Sequence, residues 1–141
     1  MGARGVGSLL AAVLVTAGLC GCGTGPFGED CLPEPLTVQP AEVAVGAELV
    51  VSAERFTCDA HYDEGKQYSL EMAFVGRAEP IELADVDVER DGSFTTTVTV
   101  PPAASPGESY VTVHGSPYDE PCDDTGSCAG YDVGVVVLPA P

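Results

Sequence analysis

Tyr68-Ser69-Leu70-Glu71-Met72-Ala73-Phe74 alternates without a break, with Tyr68, Leu70, Met72 and Phe74 separated by small or polar residues. A repeat of two is the pattern of a strand with one buried face. Upstream, residues 48–53 repeat it with Leu49, Val51 and Ala53, and Leu36-Thr37-Val38 opens an earlier strand. Downstream, Ile81 and Leu83 share a face. The apolar parity then passes to Ala84, Val86 and Val88, which predicts a bulge or a change of sheet. Residues 110–114 and 131–138 supply the last two strands, the final one with Val133, Val135 and Val137 inward. Gly and Pro punctuate these runs, and none shows sustained helical periodicity. About seven short strands at this spacing predict an all-β sandwich.

The Asp91-Gly92 pair marks a turn whose length can be chosen from the side chains around it. A two-residue loop would set Glu89 opposite Phe94, mixing charge and apolar surface on one face. A three-residue loop, Arg90-Asp91-Gly92, instead sets Val88 opposite Phe94, Val86 opposite Thr96 and Ala84 opposite Val98. Directly opposed residues share a face, so the longer loop with a left-handed Gly92 is expected, with Asp85, Asp87 and Glu89 in solvent.

Residues 1–21 stand apart from this pattern. Arg4 precedes an uncharged, largely apolar stretch from 6 to 19. As a helix it would cover about 21 Å, short of the ~30 Å hydrocarbon core, so it reads as the apolar region of a signal peptide and not as a membrane span. Leu19-Cys20-Gly21-Cys22 resembles the bacterial lipobox. That resemblance implies cleavage before Cys22 and acylation of its thiol, palmitate being a typical chain. Cys20 fits less well because Leu19 is bulky where a small residue is usual, and ordinary secretion with cleavage nearby is the alternative. Two or three acyl chains anchor stably where one does not. The expected organisation is a signal peptide over 1–21, a lipidated cysteine and tether over 22–34, and the β domain over 35–138. The expected location is the extracytoplasmic face of the cell membrane.

After residue 21 the chain carries all 22 Asp and Glu against four bases, Arg55, Lys66, Arg77 and Arg90, a formal charge of −18. Nucleic acid is excluded as a partner, since its binding rests on Lys and Arg neutralising phosphates. Anionic headgroups would repel the domain. The tether over 23–30 reaches at most about 28 Å, holding the domain near the membrane without lying on it. High charge also favours a soluble monomer, and capture of a cationic ligand or an envelope protein is the functional alternative. Cys31, Cys58, Cys122 and Cys128 form an even set in an oxidising compartment, which predicts two disulfides. Of the three pairings, Cys31–Cys58 with Cys122–Cys128 is preferred.

Several stretches resemble bacterial immunoglobulin-like domains across about residues 35–138. Pro40-Ala41-Glu42-Val43-Ala44-Val45-Gly46, followed by Leu49-x-Val51 and Phe56, is similar to their opening. Asp91-Gly92-Ser93-Phe94 running to Pro101 resembles their middle hairpin, and Ser105-Pro106-Gly107 before Val111-x-Val113 their next-to-last strand. Glu54-Arg55 stands where a glycine is usual, and Ser109 where an aromatic is common, with Tyr110 on the other face. The resemblance implies a binding, spacing or structural module with no catalytic residues.

In that topology the chain start, the 58–67 loop and the 115–130 loop meet at one end, gathering four cysteines, His61 and His114 and many acids. Long loops on a rigid scaffold are where function concentrates. A divalent metal held by His61 and His114 with Asp63, Asp119 or Asp123 is one candidate site, imidazole and carboxylate suiting zinc or copper. Two solvated histidines on an acidic rim is the plainer alternative, with no cofactor. Asp87-x-Glu89-x-Asp91-Gly92 mimics the start of a calcium loop, but Val98 stands where the bidentate Glu is needed. The serines lack a nucleophile-elbow context and no phosphate-binding glycine motif occurs, so no enzyme activity is expected. The function expected is a non-catalytic envelope lipoprotein presenting an acidic domain for binding, the alternative being an extracytoplasmic metal-binding protein.

Overall fold

The computed structural model describes residues 32–59, 62–77, 79–119 and 130–141. Among these residues there are eight strands: β1 (Leu36–Gln39), β2 (Glu42–Ala44), β3 (Glu48–Ala53), β4 (Gln67–Phe74), β5 (Ile81–Asp87), β6 (Phe94–Thr99), β7 (Gly107–His114) and β8 (Asp132–Leu138). They form two sheets, β1-β3-β6 and β2-β8-β7-β4-β5, in an all-β, sandwich-like arrangement.

The expectation of about seven strands is corrected to eight because the first run of chain is divided. Residues 36–39 pair antiparallel with β3 in the small sheet, while 42–44 pair parallel with β8 in the large one. The break falls at Pro40, which has no N–H to give to a ladder and follows Gln39 through a cis bond.

Alternation sets the core. Tyr68, Leu70, Met72 and Phe74 of β4 are buried, as are Leu49, Val51 and Ala53 of β3 and Val111, Val113, Val135 and Val137 of β7 and β8. Ser109 is also inward and Tyr110 outward, as the sequence parity predicts. The parity change in β5 is a bulge. Leu70 pairs with Ala84 but Glu71 with Glu82, leaving Leu83 as the extra residue.

The Asp91-Gly92 turn has the expected length and the wrong consequence. Glu89 N–H donates to Ser93 O at 2.9 Å across Arg90-Asp91-Gly92, and Gly92 is left-handed with φ +86°. The carboxylate of Asp91 accepts from the Ser93 hydroxyl at 2.7 Å and its N–H at 3.0 Å, which holds its pKa below the usual carboxylate range. Beyond the turn, however, β5 pairs with β4 and β6 with β3. The expected pairs Val88–Phe94, Val86–Thr96 and Ala84–Val98 are therefore not ladder partners. The turn is a corner between sheets, fixed from outside by Phe56 N–H on Asp91 O and Val88 N–H on Lys66 O, each at 2.9 Å.

That corner separates two left-handed glycines in cost. At Gly46, φ +83°, an added Cβ meets open space, whereas at Gly92 it would overlap the Phe56 ring. Gly46→Ala should cost about 1–2 kcal/mol from backbone strain. Gly92→Ala should cost about 1–3 kcal/mol more from overpacking. Urea unfolding of both variants measures the difference, and equal losses would refute the corner packing.

Candidate functional site

Strand directions bring the chain start at 32–35, the β3–β4 loop, the β5–β6 corner and the β7–β8 connection to one end of the sandwich. A run of rings ties them together. Phe56 meets Tyr62 edge-on at 5.6 Å, Tyr62 meets Tyr68 at 6.2 Å, and Tyr68 meets Tyr131 at 6.3 Å. Tyr118 then lies tilted against Tyr131 at 5.4 Å. The Tyr62 and Tyr68 hydroxyls share a 2.6 Å hydrogen bond, and Tyr131 donates to Glu34 O at 2.9 Å. Lys66 places its ammonium over the Tyr62 and Tyr68 rings at 5.5 and 5.8 Å. Each such ring pair adds about 0.5–1.5 kcal/mol beyond the area it buries, so the loops are held against the core at several points.

Burial pushes the phenols of Tyr62, Tyr68 and Tyr131 above the ordinary tyrosine range. The bond from Tyr62 adds to this at Tyr68, and Tyr118 adds to it at Tyr131. Sequence reasoning used Tyr68 only as an inward strand residue and passed over Tyr62, Tyr118 and Tyr131. The available signal was composition: four of the five tyrosines fall in or beside the long loops.

The predicted metal ligands come together only in part. His114, at the end of β7, has Nε2 3.2 Å from Glu71 Oε2 and Nδ1 3.7 Å from Asp119 Oδ1. Asp119 closes the 3-10 turn Pro117–Asp119 and accepts the Gly115 N–H through its other oxygen. Asp63 caps a loop turn through its carbonyl, which accepts the Lys66 N–H. Among the described residues, no group of three or more His, Cys, Asp or Glu is arranged to hold a metal ion. His61 and Asp123 lie outside the described residues, as do Cys22, Cys31, Cys122 and Cys128. Cys58 is disulfide-bonded. Glu71 was missed: its outward parity is legible, but its approach to His114 depends on β4 pairing with β7, which places Glu71 opposite Thr112 and diagonal to His114.

Asp87, Glu89 and Asp91, the calcium-like stretch, line a shallow groove of about 640 Å³ with Glu64 and Arg90. Arg90 pairs with Glu64 at 3.0 Å, both fully in solvent, and Asp91 is already engaged by Ser93. The groove is a by-product of the corner.

No protein-family model matches the chain, and no curated protein matches it. Among solved structures it is similar to a superoxide reductase (neelaredoxin) from Ignicoccus hospitalis, T24K variant. The identity is 15%, the TM-score 0.44, and the match covers 77% of this chain and 82% of that one. Among the described residues no helix is long and apolar enough to cross a membrane.

The buried phenols give a pH dependence with a defined sign. Their folded pKa values lie above the unfolded value of about 10. The folded state therefore retains protons that the unfolded chain gives up, so the contribution is complete below about pH 10 and is lost as pH rises toward the folded values. Unfolding free energy in urea should fall between pH 9 and 11, and Tyr131→Phe should flatten that fall. An unchanged slope would count against a buried, un-ionised Tyr131.

Proposed function

We infer that the chain is a non-catalytic envelope lipoprotein, anchored through Cys22, whose immunoglobulin-like domain serves in binding at the extracytoplasmic face of the membrane. Support for the immunoglobulin-like reading comes from strand order. β1, β3 and β6 stand as A, B and E of such a domain, and β8, β7 and β4 as G, F and C, with β5 added beside C. The single observation that carries the binding reading is the loop end, where one run of rings pins the β3–β4 loop to the β7–β8 connection and hydrogen bonds from Tyr131 and Phe56 tie in the chain start and the β5–β6 corner. A rigid scaffold holding long loops suits recognition, and His114, Glu71, Asp119, Arg90 and Glu64 there are engaged with one another.

Anchoring adds a direction. Glu34, at the loop end, is twelve residues from Cys22, so the loops would lie within about 40 Å of the lipid attachment. A partner for them is then expected in the same membrane. Growth with an alkyne analogue of palmitate should label the chain and place it in the membrane fraction. Cys22→Ala should abolish both, and persistent labelling would overturn Cys22 as the anchor.

The second reading, a metal-binding protein, is favoured by the meeting of His114 with Asp119 and Glu71. Native mass spectrometry of the full chain against zinc and copper tests it. Stoichiometric retention lost in the double variant His61→Ala, His114→Ala would replace the binding-module reading with this one.

A further inference from the structure

The outer face of the large sheet is divided along its strands. Nearest the loop end it carries Glu71 and Asp132 together with Glu82, Asp85 and Asp87 of the edge strand β5. Glu71 and Glu82 are direct cross-strand neighbours, an arrangement that repels. His114 Nε2 meets Glu71 Oε2 at 3.2 Å, but none of the four Lys and Arg side chains is directed to the pair. Lys66 lies over Tyr62 and Tyr68, Arg77 reaches Ala103 O and Ser105 Oγ, Arg90 pairs with Glu64, and Arg55 belongs to the loop beside Asp91.

The far half of the same face gathers exposed apolar side chains, with Glu42 and Glu108 on either side of Val136. Among the described residues, five large hydrophobic side chains are exposed, and four of them fall here: Val75 63%, Tyr110 43%, Leu138 39% and Val136 36%. Val75 continues the β4–β7 ladder through its N–H to Glu108 O at 3.4 Å, which keeps it on the outward parity of Glu71 and Ala73. Gly134 sits opposite Tyr110, and its missing side chain leaves a dent of about 240 Å³ beside that ring, rimmed by Glu108 and Val136. The acidic row Glu71–Thr112–Asp132 and the row Ala73–Tyr110–Gly134 are two residues apart along each strand, roughly 7 Å.

We propose that this face docks an extended protein segment bearing Lys or Arg beside apolar side chains, an apolar side chain entering the Gly134 dent and the bases meeting the Glu71–Asp132 row. Charge selects this occupant. A second copy would set the same acids against each other, whereas a cationic segment relieves the Glu71–Glu82 repulsion as it binds. The site lies on the sheet, about one strand length from the loops that face the anchor, where a protein in the aqueous phase can reach it. The inference rests on the reading of the domain as a binding module and adds to the loop end a second surface, with the chemistry of the segment it takes.

The test uses the full acylated chain in nanodiscs of zwitterionic lipid, with empty nanodiscs subtracted. The probe is a fluorescent ten-residue peptide of alternating lysine and valine, and oligolysine of equal charge is the control. Anisotropy should show saturable binding of the peptide, at least tenfold tighter than oligolysine. The triple variant Glu71→Gln, Glu82→Gln, Asp85→Asn should weaken it at least tenfold. Gly134→Val fills the dent, and its Cβ meets nothing closer than the Tyr110 ring edge at 4.0 Å, so the variant should fold. It should keep the wild-type melting temperature and lose at least tenfold in affinity. Equal binding of oligolysine, unchanged affinity in Gly134→Val, or dimerisation of the chain through this face would each overturn the proposal. Failure to acylate Cys22 would sink the lipoprotein reading while leaving the peptide result intact, so the two failures are distinguishable.

Discussion

The ring of Tyr68 is where the sheets and the loops become one structure. It is buried in β4 of the large sheet and meets Phe94 of the small sheet edge-on at 5.7 Å, so it spans the core. Its other contacts, Tyr62 and Tyr131, lie at the ends of the two long loops. A phenol in that position must hydrogen-bond, because a buried hydroxyl without a partner costs about 1–3 kcal/mol. The partner is the Tyr62 hydroxyl, so satisfying the core also fixes the β3–β4 loop. Tyr131 repeats the device on the other side, its hydroxyl meeting the backbone of Glu34 and holding the chain start in place. The loop end is ordered by the same polar requirement that the core imposes.

What was legible in the sequence was local. Period-two alternation placed β3, β4 and β8 and their buried faces, the parity change at Leu83 marked the bulge, and Asp91-Gly92 gave the turn with its left-handed glycine. Each of these is decided within a few residues. The partner of β5 is not. A three-residue turn can close a hairpin or turn a corner between sheets, and the choice here follows from Phe56 and Lys66 bonding to the turn from more than twenty residues away. The divided first strand escaped for the same reason: residues 42–44 have little pattern of their own and become a strand only because β8 offers an edge. At the candidate site, His114 and Asp119 are close in sequence, and the structure sets Nδ1 3.7 Å from Oδ1. Glu71 needed the β4–β7 register, and the tyrosine run needed the whole fold.

The acids are unevenly distributed, and the unevenness is informative. On the small sheet, outward positions include Thr37, Ser52, Thr95, Thr97 and a single acid, Glu48, with Thr37 and Ser52 bonded across strands at 2.8 Å. On the large sheet they include a block of carboxylates running to the edge. Part of that block has a sufficient physical purpose in the fold, since Glu82, Asp85 and Asp87 on β5 discourage a neighbouring chain from extending the sheet. Edge protection does not reach Glu71, which lies inside the sheet on β4 between β5 and β7, whereas Asp132 lies on β8 outside the stretch 136–138 that β2 covers.

Position relative to the anchor separates the two surfaces that remain. The segment that would lead to the lipid leaves from the loop end, and the carboxylates nearest that end would be repelled by anionic headgroups. With the proposed anchor at Cys22, a short tether and a repelled domain would favour a stance with the loops toward the membrane but held off it, and the opposite end of the strands outward. The exposed Tyr110, Val136 and Leu138 of the large sheet are toward that opposite end, flanked by Glu42 and Glu108, together with Gly134, the one outward position on β8 without a side chain. A protein that gained only solubility from its charge would have no use for an exposed Tyr110 and two exposed aliphatic side chains on β8 in that place. Their cost in solubility is offset if a partner covers them, and the acids one row away would restrict that partner to a cationic one.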